Sequence, residues 1–337
     1  MILRPKPSSL HYATLAGTPS TVPMAVVPSW LRRTIPDAQS PARQGIEDIA
    51  IAAGAAIGAL DAVVRRQERW SGAWRQRLAL SAAAVTATQA GRVEDEVALR
   101  DAVLLTKAGD NVGPAGRMSL GWRRLAGTPA EKLLTDASIG TALDDLGFAP
   151  DNETANDLAD QLRQCAATEG VVGTLVGAFA VVERRGLPRN VGSWFADALL
   201  AQRLGWSYAV PLLGTEVNAA GRSRPRRSGP VIAASIEDES GLAKNLLAAQ
   251  VRAALRAVDL SAELGRKADR LLTVAPRLRA KAADIVVEKL LSDDAIVASE
   301  KIAGMSDRGL RRLFDRLVEF GAVRELSGRP TFRIYGL

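Results

Sequence analysis

The clearest pattern of apolar and polar positions lies near the end of the chain. Residues 282–291 carry apolar side chains at helical spacing, and 296–303 fit a second, shorter helix. A third helix is predicted from the N-cap Ser306 to about Phe320. Two strand-like runs, 323–326 and 331–335, flank a polar turn. This order of elements predicts a winged helix-turn-helix with a small β-hairpin.

The third helix divides into two faces when its residues are placed about 100° apart around the axis. One face is apolar and is expected to pack on the protein: it consists of Leu310, Leu313, Phe314, Leu317 and Val318. The other face, called the arginine face below, consists of Arg308, Arg311, Arg312 and Arg316. The sequence therefore predicts a helix that packs on one side and carries guanidinium groups on the other.

Guanidinium groups suit contact with duplex DNA, because their planar fork grips phosphate and matches the major-groove edge of guanine. Ser306 at the start of the helix belongs to the predicted interface, and Arg329 and Arg333 on the hairpin would add contacts to the backbone or minor groove. The alternative is a solvated face in which Asp315 pairs with Arg311 or Arg312. Winged helices also bind proteins, so a helical scaffold or adaptor remains the second hypothesis.

Composition predicts a mostly α protein, since the 337 residues are 47% hydrophobic and only 4% aromatic. The net charge of +7 favours polyanionic partners. A short basic loop could add secondary DNA contacts, or it could be a solvated linker; its arginines are Arg222, Arg224, Arg226 and Arg227.

Shifts in composition predict five segments. They are an extended Pro-rich arm (1–44), an α-helical domain (45–214), a basic linker (215–232), connecting helices (233–278) and the winged helix-turn-helix (279–337). Within the connecting segment a helix is predicted over 240–260, and residues 264–278 lead to the winged helix-turn-helix. A stripe of Leu247, Val251, Leu255 and Val258 on it would either bridge the two halves or pair with a second copy in a homodimer.

Cysteine and histidine usage argues against most catalytic chemistry. One cysteine, Cys165, and one histidine, His11, leave no disulfide framework and no His/Cys metal cluster, which fits a cytoplasmic protein without cofactors. The longest apolar stretches are too short to cross a membrane. The remaining enzymatic hypothesis is a carboxylate site for a divalent metal built from Glu94, Asp95 and Asp101. Nothing else in the sequence supports it, so a non-enzymatic protein is expected.

Five separated segments resemble the bacterial family catalogued as domain of unknown function number 1403. They are residues 52–61, 74–80, 94–102, 113–117 and 312–337. The resemblance covers about residues 45–337 and implies no biochemical activity. The sequence as a whole predicts a DNA-binding regulator, of transcriptional or plasmid type, that contacts duplex DNA through its C-terminal winged helix.

Overall fold

The computed structural model describes residues 27–35, 37, 44–107, 109–217, 231–278, 280, 282–329 and 331–337, with backbone alone for 231–239. The predicted mostly α fold is confirmed in this part of the chain. Its helices are α1 (Ser29–Thr34), α2 (Ile46–Arg65), α3 (Ser71–Gln89), α4 (Glu96–Leu104), α5 (Gly113–Gly127), α6 (Asp136–Asp145), α7 (Asn152–Thr168), α8 (Val171–Arg184), α9 (Arg189–Arg203), α10 (Val231–Val274), α11 (Ala283–Ser292) and α12 (Asp307–Glu319).

The longest element is α10, whose 44 residues pack mainly along α2 and also touch α3, α8 and α11. The connecting helices predicted over 233–278, one of them over 240–260, are a single helix as far as Val274, because no glycine or proline follows Leu260 closely enough to end it there. Gly265 lies inside α10, against the ring of Trp70. The predicted stripe is buried within the chain: its members are Leu247, Val251, Leu255 and Val258. It bridges helices of one molecule and is not available to a second copy.

The small predicted sheet is present, with one strand more than expected. Its strands are β1 (Ile296–Val297), β2 (Arg324–Glu325) and β3 (Ile334–Gly336). They form an antiparallel sheet in the order β1-β3-β2, with Ile296 opposite Tyr335 and Glu325 also opposite Tyr335. The sheet lies between two layers, because Phe314 of α12 stacks on Tyr335 at 4.3 Å between ring centroids. On the other side, Leu104 and Leu105 at the end of α4 pack on Ala295, Val297 and Ile334.

The helix predicted over 296–303 is wrong. Ile296 and Val297 are β-branched and pair with β3, and turns follow as far as Ser306. The boundaries of the next helix are confirmed: the Ser306 hydroxyl accepts a hydrogen bond from the N–H of Gly309, and Gly321 ends α12 at a φ of +62°.

The apolar side of α12 packs into the same continuous core as the N-terminal helices. Four of its five predicted members are buried: Leu310, Leu313, Phe314 and Leu317. Val318 is an exception at 41% exposed. The part of the chain from α11 to β3, called the C-terminal segment below, is thus attached to the rest of the molecule by a shared apolar core as well as by polar contacts.

Candidate functional site

The arginine face of α12 is open to solvent along its whole length. Arg308, Arg311, Arg312 and Arg316 are all exposed, because the opposite side of the helix is the side buried in the core. Neither Arg311 nor Arg312 forms an ion pair with Asp315 or with any other acid in the described part of the chain, and the same holds for Arg308. The geometry therefore does not support the alternative in which Asp315 pairs with Arg311 or Arg312.

Arg316 differs slightly from its three neighbours. Its guanidinium lies over the ring of Phe320, 5.4 Å from the ring centroid, where the electron-rich face of the ring attracts a cation. This contact occupies one side of the planar group, so the N–H edge stays exposed. Ser306 is committed to capping α12, but it is exposed and lies beside Arg308.

The hairpin arginines have partners within the protein. Arg329 lies 2.6 Å from a carboxylate oxygen of Asp101 on α4, whose side chain is only 12% exposed. Neither oxygen of Asp101 makes a well-aligned hydrogen bond, so the contact is an ion pair held by charge more than by geometry. Arg333 lies 3.8 Å from Glu325 on the neighbouring strand, and its hydrogen bond to the side chain of Tyr335 contributes most to raising its pKa. These two side chains are less free than the arginines of α12.

A second polar cluster, which sequence reasoning missed, joins the C-terminal segment to the N-terminal helices. We call it the seam: Arg69, Gly72, Arg77, Arg100 and Arg123 on one side, and Glu288, Ser292, Asp293 and Asp294 on the other. At its centre, Asp294 is 2% exposed and binds two guanidinium groups, those of Arg77 and Arg100. Burial by itself raises the pKa of Asp294, but the two cations outweigh burial and hold the pKa below its ordinary value. The carboxylate is thus ionised in the folded protein at neutral pH.

The rest of the seam is looser. Asp293, at 38% exposed, pairs with Arg123 of α5 at 2.8 Å, and Arg69 pairs with Glu288 of α11. Between these pairs the backbone of α3 approaches the end of α11 closely: a Cβ placed on Gly72 would lie 2.5 Å from the carbonyl oxygen of Ser292. The sequence does contain a signal, since two acids, Asp293 and Asp294, directly follow α11, but no local pattern indicates their partners.

The carboxylates considered for a metal site are each engaged elsewhere. Glu94 pairs with Arg92, and that hydrogen bond is the main reason its pKa is lowered. Asp95 caps α4 by accepting from the N–H of Ala98 at 2.9 Å, and Asp101 faces Arg329. Within the described residues no group of three or more His, Cys, Asp or Glu side chains is arranged to hold a metal ion. The geometry offers nothing that favours the enzymatic hypothesis.

Two further predictions concern the basic loop and the membrane. The basic loop with Arg222, Arg224, Arg226 and Arg227 lies outside the described residues. Across the part of the chain that the structure describes, no helix combines the length and apolar character needed to cross a bilayer.

Comparison with known proteins places the chain in a family without assigning it an activity. Neither the curated proteins nor the solved structures contain a match to this sequence. The family model described as "Protein of unknown function (DUF1403)" matches residues 17–337. That match begins inside the predicted Pro-rich arm, earlier than the resemblance over 45–337 indicated. Because it spans nearly the whole sequence, the chain belongs to the DUF1403 family.

Proposed function

We propose that this protein binds duplex DNA through the arginine face of α12 and acts as a transcriptional or plasmid-type regulator. The observation that carries the proposal is the state of Arg308, Arg311 and Arg312. They are exposed, lie on one face of one helix, and have no acidic partner in the described part of the chain. Side chains in this arrangement are available to phosphates and base edges without first breaking an ion pair.

The topology around α12 supports the same proposal. The order α11, β1, α12, β2, β3 with a sheet ordered β1-β3-β2 resembles a winged helix that lacks one helix, and in the proposal α12 is the recognition helix. Turns lie where a helix-turn-helix has its shorter helix. In place of that helix, the sheet and the core beneath α12 support it. Stacking of Phe314 on Tyr335 fixes α12 on that sheet.

Charge across the segment agrees with this assignment. Between Ser306 and Leu337 there are seven arginines and four carboxylates. Two of the acids lie away from the arginine face in pairs of their own, Asp307 with Lys301 and Glu325 with Arg333. The other two acids, Asp315 and Glu319, share the arginine face with its four arginines, so that face keeps an excess of positive charge from which counterions would be released on contact with DNA.

A regulator of this type would read a two-fold symmetric site if it dimerises. The half-sites would then lie one or two helical turns apart, because each α12 must enter a major groove on the same side of the duplex. The dimer is part of the proposal, and its surface must lie elsewhere than the stripe of α10, which is buried within the chain.

The deciding experiment is fluorescence anisotropy on a random-sequence duplex at two salt concentrations. We expect the wild-type protein to bind with a strong salt dependence, and the double variant Arg311→Ala/Arg312→Ala to bind more weakly. Its slope of log affinity against log salt should be shallower by about one unit for each phosphate that the variant no longer neutralises.

A matched control removes the same charge elsewhere. Arg163 on α7 and Arg184 on α8 are also exposed, so Arg163→Ala/Arg184→Ala lowers the net charge equally without touching α12. The control should retain the wild-type affinity and slope. Equal losses in both double variants would mean that only net charge matters, and unchanged binding in the α12 variant would remove this face from the interface.

One observation favours a second function, a scaffold or adaptor that binds protein. Three apolar side chains of the same segment are exposed: Val318 by 41%, Phe320 by 36% and Phe332 by 68%. Under this second function, replacing Phe332 with Ser would weaken the binding of a protein partner and leave the affinity for DNA unchanged. Absence of any DNA binding at low salt would favour this second function over the first.

A further inference from the structure

A cleft separate from α12 lies where α2, α3 and the end of α11 meet. Its volume is about 430 Å³, within the range of sites that hold small molecules. It is lined by the turn between α2 and α3, by the start of α3, by the segment 205–208 and by Ser292. The side chains that matter to the argument are Glu68, Arg69, Arg75, Ser207 and Tyr208.

Arg75 is the unusual residue of this cleft. Its guanidinium lies 4.4 Å from the centroid of the Tyr208 ring, and its Nε donates a hydrogen bond of 2.9 Å to the carbonyl oxygen of Ala126. Its two terminal nitrogens have neither a hydrogen-bond acceptor nor a carboxylate in the described part of the chain. Burial lowers the pKa of Arg75, which reflects how little solvent compensates the charge.

The other cations around the cleft are already neutralised. Arg65 pairs with Asp61 at 2.7 Å, and Arg69 pairs with Glu288. Glu68 is the one acid among the described residues that line the cleft, and it forms no ion pair with Arg75. Arg75 therefore lines the cavity with its terminal nitrogens unpaired, because the carboxylate of Glu68 does not reach them. This is an uncommon arrangement, because a partly buried charge normally has a partner.

We propose that the cleft binds a small organic anion, whose carboxylate or phosphate is held by the terminal nitrogens of Arg75. A planar oxyanion can accept two parallel hydrogen bonds from the guanidinium edge. The remainder of the ligand would occupy the space between Tyr208, Ser207 and the start of α3. This proposal does not depend on DNA binding.

The position of the cleft joins it to the seam. Ser292 lines the cleft and also meets Gly72 across the seam, while Arg69 lines the cleft and holds Glu288 of α11. A bound anion would touch the N-terminal helices and the C-terminal segment together. Ligand binding should therefore raise the temperature at which the protein unfolds, because the ligand would hold these two parts together.

The test uses ligand-observed saturation-transfer NMR with three probes of one shape: benzoate, phenyl phosphate and the neutral benzamide. We expect at least one of the two anions to bind with a Kd of a few millimolar, and benzamide to bind at least about tenfold more weakly. The better anion identifies the preferred group. No binding of either anion up to about 20 mM, or equal binding of benzamide, would overturn the proposal.

Two variants locate the site. Arg75→Gln should abolish the preference for the anion over benzamide, and circular dichroism checks that it folds. Ser207→Trp leaves Arg75 in place and fills the cleft from an exposed position, so it should abolish binding of all three probes. Arg163→Gln, on α7, is the control and should bind like the wild type. Anion binding that survives Ser207→Trp would place it outside the cleft.

Discussion

Arginines occur in two contrasting settings, at the seam and on the arginine face of α12. At the seam, Arg77 and Arg100 are mostly buried and share one carboxylate, Asp294. On α12, Arg311 and Arg312 are exposed and form no ion pair in the described part of the chain, although Asp315 lies on the same face. Arginine thus occurs as a buried, paired side chain on α3 and α4 and as an exposed, unpaired one on α12.

The difference between the two settings separates charged side chains that the fold needs from charged side chains that it does not need. A buried guanidinium has lost its hydration and is normally paired with a carboxylate, so removing that carboxylate costs stability. An exposed guanidinium without a partner costs nothing to keep and contributes little to folding. Mutations at the seam should thus change the free energy of unfolding, and mutations on the arginine face should change binding alone.

The largest effect is expected from Asp294→Ala. It leaves the guanidinium groups of Arg77 and Arg100 buried without a counter-charge, which should lower the free energy of unfolding by about 3–5 kcal/mol. Urea denaturation followed by circular dichroism measures this. Asp293→Ala is the matched control, because its pair with Arg123 is half-exposed and should contribute about 1 kcal/mol or less. Similar losses in both variants would contradict the distinction between the centre of the seam and its edge.

A pH series sharpens the comparison by using a buried carboxylate, Asp197, that pairs with no cation among the described residues. Asp197 accepts hydrogen bonds from the backbone N–H groups of Leu212 and Leu213, both at 2.9 Å, and of Gly214 at 3.2 Å. Burial nevertheless raises its pKa to about 7. The folded state thus keeps a proton that the unfolded state releases near pH 4, so the contribution of Asp197 to stability falls as pH rises from about 4 to 7.

The measurement is the free energy of unfolding at pH 5 and pH 8 for the wild type and for Asp197→Asn. The wild type should lose about 2–3 kcal/mol more than the variant over this interval. Asp294 has the opposite sign, because its pKa is lowered and its contribution is lost only as pH falls below about 4. Equal pH dependence in wild type and variant would show that Asp197 is ionised throughout.

A smaller effect is expected where the seam is closed by backbone contact. In Gly72→Ala the new methyl group would meet the backbone of Ser292 at 2.5–3.0 Å, so α3 and α11 must separate. The expected loss is about 1–3 kcal/mol, measured by thermal or urea unfolding. Gly58→Ala in α2 is the control, because nothing lies within 4 Å of the new methyl group and the helix should gain up to about 1 kcal/mol. A stabilised Gly72→Ala variant would show that the seam is looser than described.

The smallest effect on folding is expected from Arg311→Ala/Arg312→Ala. Since neither side chain has an acidic partner in the described residues, the free energy of unfolding should change by less than about 0.5 kcal/mol. The same protein preparation should show the reduced DNA affinity described above. A large loss of stability in this variant would mean that the arginine face has a structural role.

Local signals allowed α12 to be predicted well, and long-range signals were missing for its surroundings. Ser306, Gly321 and the spacing of Leu310, Leu313 and Leu317 define the helix from neighbours in sequence alone. The strand at Ile296–Val297 depends on partners 37 and 39 residues away, Ile334 and Tyr335, so its local pattern wrongly predicts a helix.

Site residues follow the same division. The exposure of Arg308, Arg311 and Arg312 follows from helical periodicity, so the sequence was sufficient to predict it. The pairing of Arg77 and Arg100 with Asp294 spans about two hundred residues, and the open edge of Arg75 depends on which acids do not reach it. Neither has a local pattern. The ion pair of Arg329 with Asp101 was hidden for the same reason, since the two lie on different elements.

The length of α10 places a constraint on how the chain can vary. Its 44 residues span about 66 Å as a single continuous helix. Insertion of one residue near its middle would rotate everything beyond it by about 100° and shift it by about 1.5 Å. Leu264, Ala268 and Leu271 would then turn away from the groove they fill. Insertion or deletion of a single residue within 240–274 should therefore destabilise the fold, even at positions where a substitution does not.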